Sequence, residues 1–451
     1  MKRELGGGER TYWIFNQWSP NNVLAIAELD GLLEAPQLEV ALAALQKAHP
    51  LLGMRVLPDA SGRDPRFVPR REATIPMETV DVGATGLGVR LDGLITDELN
   101  RWLDPRERLI RVVYVHDDQH SALIVSCLHI IADATSAMIA LRDLLIAYAA
   151  SSSARAAVLP KRPRRPAYEA LLPAAFRGLP GVPNALRVQW AVMTEALRQK
   201  PQRLPKQAEV AMPQRKNGYL RHALPAAQVE RLRRECAAHS VTVHGLLTAA
   251  LGIAVAKELG LRDRPSVRFN IGSPLSIRSA LRPEITDDLG SYVCTLNVFM
   301  DVGSQHSLWS IARQVNEDLQ RRRDRGEAFA MLNAVAWIAP RSRKSSKRVV
   351  DMADNQGPGN VCLSNIGNFD MPSEAGGISV RSSHWCASLS ITGYLLCAVC
   401  TTSRGLQLDF AYIRHIVTND RARRIVDFML REIALALPAT TAPDQAVRAL
   451  A

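Results

Sequence analysis

SALIVSCLHIIADATSAMIALRDLLIAYAA, residues 121–150, decides how the rest of the chain is read. SALIVSCL (121–128) has the apolar, branched character of a strand. Asp133, Thr135 and Ser136 suit the start of a helix, and Met138, Leu141, Leu144 and Leu145 then fall on one helical face. A strand that ends beside a helix start is well placed to aim side chains into a cleft. His129 and Asp133 stand at that junction, four residues apart. A neutral imidazole can take a proton from a hydroxyl or an amine near neutral pH. With ten histidines in the chain, the spacing alone is a weak mark, and a packed histidine followed by a capping aspartate is its simpler reading.

Working outward, LIRVVYV (109–115) and 121–128 are separated by HDDQH, which predicts an antiparallel hairpin. VLAIAELDG (23–31) and LLGMRVL (51–57) read as strands. LEVALAALQKAH (38–49) reads as a helix stopped at His49-Pro50, and a further helix is expected near 92–102. Residues 151–215 are rich in Ser, Pro and Arg and read as a long crossover linker with one or two helices. Alternation then resumes. Two helices are expected over 226–260, broken near Ser240–Thr242, followed by a strand at 267–277 and an amphipathic helix at 307–324. Strands are expected at 360–370, 387–403 and 406–412, and a closing helix at 420–437. These signals predict an α/β (α+β) chain of two lobes, 1–150 and 216–451, joined by the linker.

The length of 451 residues exceeds what one core usually holds. Apolar residues make up 47% and charged residues 22%, which excludes a disordered chain. The formal net charge of +12 suits anionic partners, and equally a soluble Arg-rich protein. Aromatics are 5% and do not interleave with basic runs, so no nucleic-acid partner is expected. Seven scattered cysteines and an N-terminus without an apolar leader point to a reducing cytoplasm. No apolar run is long enough to span a bilayer; peripheral membrane contact is left open.

Several stretches together resemble the condensation-type acyltransferase superfamily, which includes chloramphenicol acetyltransferase, nonribosomal peptide condensation domains, alcohol acetyltransferases and phthiocerol dimycocerosyl transferases. They are ERTYWIF with LEVALAALQKAHPLLGMRV, ELNRWLDPRERLIRVVYV, LHIIADA, SVTVHGLLTAAL, SPLSIRSALRP followed by LGSYV, and LSNIGNFD, in the family's order and spacing. The resemblance covers most of the chain outside the linker and implies two chloramphenicol-acetyltransferase-like lobes, each a mixed sheet flanked by helices, with a channel between them. His129 matches the catalytic histidine of the family's His-His-xxx-Asp-Gly motif and Asp133 its aspartate. The resemblance implies that Asp133 pairs with Arg278 of the second lobe and supports the loop rather than moving protons. Leu128 stands where many members have a first histidine, and Ala134 replaces the usual glycine. If that position needs a positive φ or close backbone approach, the added methyl is an obstruction.

Asn365 in SNIG is the candidate donor to a tetrahedral intermediate, with Ser364 and Ala134 as weaker contact candidates; a turn asparagine beside Gly367 is the competing reading. Cys127 shares a strand face with His129 if the strand continues, which allows a Cys–His dyad, although a small core residue is the simpler assignment. Cys397 and Cys400 lie in an apolar strand without a second CxxC, so no metal is expected. His384 lines a cleft or packs.

The resemblance implies direct attack on a thioester, with acyl-CoA or a phosphopantetheinyl carrier as co-substrate and no permanently bound cofactor. The acceptor is expected to be a small-molecule or lipid hydroxyl, an acyl carrier protein is a candidate partner, and a monomer is expected. Amide formation and a noncatalytic binding homologue are the competing readings. KRPRR (161–165) and RRRDR (321–325) are either contacts for donor phosphates or solvated basic faces.

Overall fold

The computed structural model describes residues 3–70, 74–153, 158–356, 360–389, 391 and 393–437. Two six-stranded sheets, each backed by helices, form two lobes. The first sheet has the order β12 (Glu374–Ala375), β13 (Ile378–Ala387), β2 (Asn22–Asp30), β7 (Ser121–Leu128), β6 (Ile110–His116) and β5 (Met77–Asp81). The second runs β10 (Val293–Val302), β9 (Val267–Ser276), β11 (Val361–Asn368), β14 (Leu395–Thr402), β15 (Gly405–Ile413) and β8 (Asn217–Pro225). A small third sheet joins β1 (Arg3–Glu4), β4 (Arg66–Pro69) and β3 (Met54–Leu57).

The expected hairpin is β6–β7, in register from Ile110↔Cys127 to His116↔Ser121. Every residue of β7 is buried, because β2 and β6 flank it and helices cover its sheet. The first lobe carries α1 (Gly7–Asn16), α2 (Ala35–Ala48), α3 (Leu87–Asn100) and α4 (Ala134–Ser152). The crossover segment contains α5 (Val182–Gln199). The second lobe carries α6 (Ala226–Ala238), α7 (Val243–Glu258), α8 (Leu308–Asp324), α9 (Glu327–Ile338), α10 (Arg343–Gln356) and α11 (Asn419–Leu435). α7 is apolar all round and buried against α8 and α11, as a central core helix should be. No single helix among the described residues is long and apolar enough to cross a membrane.

The lobes are not consecutive in the chain, so the expected second-lobe range of 216–451 is too inclusive. Glu374–Ala387 returns to the first lobe, where β13 pairs antiparallel with β2 from Ser379↔Asp30 to Ala387↔Val23. This covers backbone donors and acceptors that an edge strand at β2 would leave unpaired. The run expected as one strand over 387–403 is accordingly two. Pairing in the first sheet stops at Ala387, and pairing in the second begins where Leu395 faces Tyr412.

α1 has no clear sequence signal because it opens on glycines. The packing explains them: a Cβ on Gly7 would lie 2.3 Å from Ala336 Cα, and one on Gly8 2.4 Å from the Tyr168 ring. The helix start is secured instead by Glu9, whose carboxylate accepts from Gly6 N–H at 2.8 Å and from Arg3.

Candidate active site

A cavity of about 610 Å³ lies between the lobes. Its walls come from α1, the end of β7 and the start of α4 on one side, and from β9, β10, β11 and α9 on the other. His129 sits just past β7, with its backbone N–H bonded to Asn21 O at 3.0 Å. Its ring stacks on Tyr12, with centroids 3.9 Å apart and planes 8° from parallel. Burial pushes the His129 pKa down to about 4, against backbone carbonyls and Asp133 that favour the charged ring. The imidazole is therefore neutral at pH 7 and open to a proton. Its Nδ1 is enclosed without a well-formed hydrogen bond.

Asp133 caps α4, its Oδ1 accepting from Ser136 N–H at 2.7 Å. The same oxygen accepts from Arg278 Nη2 at 3.0 Å, and Oδ2 accepts from Tyr292 N–H at 2.9 Å. Burial raises the carboxyl, but Arg278 and the two backbone donors outweigh it and hold Asp133 below the usual carboxylate range. Arg278 also donates to Ser136 Oγ at 2.6 Å and to the carbonyls of Asp288 and Thr286 at 2.9 and 3.2 Å. Its guanidinium lies 4.7 Å from the Tyr292 ring centre. Ser136 Oγ in turn donates to Gly290 O at 2.6 Å. Helix capping, read from the residue types, and the cross-lobe pairing that the resemblance implies are thus performed by one carboxylate.

Leu128 is fully buried in the first lobe's core. Ala134 lines the cavity as the first residue of α4 and has no positive φ. The anticipated backbone strain at Ala134 is therefore absent, because the chain enters an ordinary helical turn there. Ser364 and Asn365 also line the cavity. Asn365 Oδ1 accepts from Gly367 N–H at 2.8 Å, Gly367 has φ of 76°, and the β11–β14 ladder shifts between Asn365 and Asn368. The carbonyl end is used locally, leaving the amide nitrogen as the end that can serve a substrate.

Cys127 does not join His129. The strand ends at Leu128, Cys127 is packed in the core, and burial raises its thiol to about 12. Cys397 and Cys400 face opposite cores because they are an odd number of residues apart on β14. No group of His, Cys, Asp and Glu among the described residues is arranged to hold a metal ion. His384 packs away from the cavity, with Nδ1 2.7 Å from Asp409 Oδ1 and both side chains buried.

The basic runs divide between structure and solvent. Arg322, expected on a solvated face, is fully buried and bonded to Asp318 at 2.9 Å, Glu327 at 3.0 Å and Glu195 at 3.1 Å. Arg323, one residue on, lines the cavity. Arg162 and Arg165 pair with Asp287 and Asp288 at 3.4 and 3.2 Å. With exposed Arg164 they line a second cavity of about 350 Å³, which shares Tyr168 and Ser291 with the first. The hydroxyl of Tyr168 is buried there without a hydrogen-bond partner.

Two cavity residues escaped the sequence reading. Tyr12 lay within a stretch noted only for its resemblance. His244, in the first turn of α7, places Nε2 3.2 Å from Ser273 Oγ. Burial and Arg323 lower its pKa to about 4. A lone histidine at a helix start carries no pattern that would have singled it out.

Two α/β lobes, each a six-stranded sheet backed by helices, enclose this cavity between them. The chain belongs to the condensation-domain family, whose model matches residues 9–334. The first condensation domain of the calcium-dependent antibiotic synthetase superposes with a TM-score of 0.72 at 16% identity, covering 98% of each chain. The TRI3 trichothecene 15-O-acetyltransferase from Fusarium sporotrichioides gives 0.71 at 13% identity, covering 97% of this chain and 95% of that one. Polyketide synthase associated protein 5 from Mycobacterium tuberculosis gives 0.66 at 14% identity, covering 97% and 99%. No curated protein sequence is significantly similar to the chain.

Proposed function

We propose that the protein transfers an acyl group from a thioester donor to a hydroxyl acceptor by direct attack, with His129 as general base. The neutral imidazole held in the inter-lobe cavity carries this reading. With Nδ1 enclosed, the acceptor O–H gives its proton to Nε2. The oxygen bonds to the thioester carbon, and the carbonyl electrons move to oxygen. Collapse of that tetrahedral oxyanion breaks the C–S bond, and the departing thiolate takes the proton back from the imidazolium. No covalent enzyme intermediate is needed.

The Asn365 amide nitrogen is assigned to the oxyanion, with Ser364 and the α4 N-terminus at Ala134 beside it. Asp133 and Arg278 are positioning residues, since neither carboxylate oxygen is left free for proton transfer. The donor is acyl-CoA or a phosphopantetheinyl carrier. Arg164 at the second cavity and Arg323 at the first suit the donor's phosphate. An amine acceptor fits the same steps, and the family membership keeps it as the second reading.

The test is product mass spectrometry with a panel of acyl-CoA and acyl-carrier thioesters, offered hydroxyl and amine acceptors in parallel. Acyl ester formation that collapses in His129→Ala is expected. Near-normal turnover in that variant rejects the general-base assignment.

A further inference from the structure

We propose that α5, with the end of α9, docks on an anionic lipid bilayer. Leu186, Trp190, Met193 and Leu197 are 66%, 66%, 49% and 68% exposed. Their spacing of four, three and four residues puts all four within one narrow stripe of the helix. The opposite face does the packing: Ala185 and Val188 are buried against Ala330 of α9. Glu195, near the end of α5, pairs with Arg322 and Arg325 ahead of α9. The two helices therefore run antiparallel, and the start of α5 lies toward Trp337 and Ile338, which are 57% and 67% exposed. With Leu179 at 72%, these helices and the turn before them hold seven of the fourteen exposed large apolar side chains among the described residues. That is a concentrated patch, not the usual scatter.

Charge selects the occupant. Arg187 and Arg198 are exposed and have no acidic partner among the described residues. By helical position both flank the same side of the stripe, where their heads can reach lipid phosphates while the apolar side chains enter the acyl boundary. Glu195 is the one acidic residue of α5. It sits on the far side of the helix and is neutralised by its arginines. Exposed Trp190 and Trp337 have the amphipathic rings that favour a membrane interface. Two arginines beside the stripe, with the helix's one acid turned away and paired, suit an anionic surface.

α9 belongs both to the patch and to the cavity wall. Met331 and Val335 line the cavity, and Ile338 continues their face of α9 to the surface. An apolar acceptor taken from the bilayer can follow this wall toward His129. That delivery step rests on the acyl-transfer reading; the docking step does not.

Co-sedimentation of the full chain with vesicles tests the docking. Binding is expected to vesicles of phosphatidylcholine and phosphatidylglycerol in equal parts. It should weaken on the order of fivefold for each of Arg187→Ala and Arg198→Ala, and in raised salt. Trp190→Ser with Leu197→Ser should weaken it on the order of tenfold or more. Both changes lie on an exposed face, and circular dichroism checks that the fold is kept. His129→Ala should bind vesicles as the parent does, separating failure of docking from failure of the catalytic reading. Absence of vesicle binding by the parent, equal binding to pure phosphatidylcholine, or undiminished binding by the Trp190/Leu197 variant overturns the proposal. So does a parent that elutes as an oligomer and becomes monomeric in that variant, which assigns the stripe to a second copy of the chain.

Discussion

Arg278 Nη2 reaches across the lobes to Asp133 Oδ1 at 3.0 Å, and the same nitrogen lies 2.6 Å from Ser136 Oγ. The contact ties the start of α4 to the turn after β9, and it does so four residues beyond His129. A carboxylate this deep is costly unless paired. Here it has three donors, one side-chain and two backbone. Arg278→Ala leaves Asp133 and Ser136 without the guanidinium and should destabilise the fold by about 3 kcal/mol, the scale of breaking a buried pair. Asp133→Asn keeps the helix cap but not the charge. Combined with Arg278→Met, it should cost less than the sum of the single changes, a non-additivity read from thermal or denaturant unfolding. Additive losses would show that the two side chains are not coupled.

The His129 prediction follows from its environment. Removal of the imidazole should lower kcat by roughly 10²- to 10⁴-fold. The active form is neutral, and burial holds the pKa near 4 rather than its ordinary 6.5. Lowering the pKa extends the neutral form toward acid, so kcat/KM should stay level as pH falls from 7 through 6 and fall only toward 4. An acid limb near 6.5 would mean that the ring is solvated in the working enzyme.

Tyr12 supplies part of that enclosure, its ring lying flat on His129. Burial pushes its own phenol up to about 12, so it carries no charge at working pH. Tyr12→Phe retains the stacked face and should leave the pH profile in place. Tyr12→Ala opens one face of the imidazole to water. The His129 pKa should then rise toward 6.5, and the acid limb should move to higher pH. The accompanying loss in kcat, on the order of tenfold, reflects freer ring rotation. A profile unmoved in Tyr12→Ala would show that other walls keep the imidazole dry.

What the sequence displayed and what it hid have physical causes. β7, β6, β2 and α4 are runs whose period and composition agree with their final burial, so they are legible one by one. His129 and Asp133 stand out because they punctuate such a run. β13 was hidden because Ser382, Ser383 and His384 interrupt an apolar pattern; its stability comes from pairing with β2, far earlier in the chain, not from local preference. α1 was hidden because its glycines answer to Ala336 and Tyr168 rather than to helix propensity. The two histidines of the cavity come from different lobes, and no spacing along one chain segment announces that meeting. Arg278 was reachable only through resemblance, since an arginine between strand and turn has no intrinsic mark.

Asn365 offers a substitution pair that separates its two roles. Its Oδ1 already holds Gly367 N–H, and Gly367 occupies the left-handed region. Asn365→Asp keeps an acceptor for that N–H but replaces the amide donor by a negative charge facing the cavity. If the amide stabilises the oxyanion, both Asn365→Asp and Asn365→Ala should lower kcat on the order of 10²- to 10³-fold, the loss expected for one such donor. KM should change little, because the interaction matures only in the transition state. If the side chain only closes the turn, Asn365→Asp should retain activity and stability while Asn365→Ala loses about 1 kcal/mol of fold stability. Parallel measurement of kcat and unfolding for the two variants therefore assigns the residue to chemistry or to the turn.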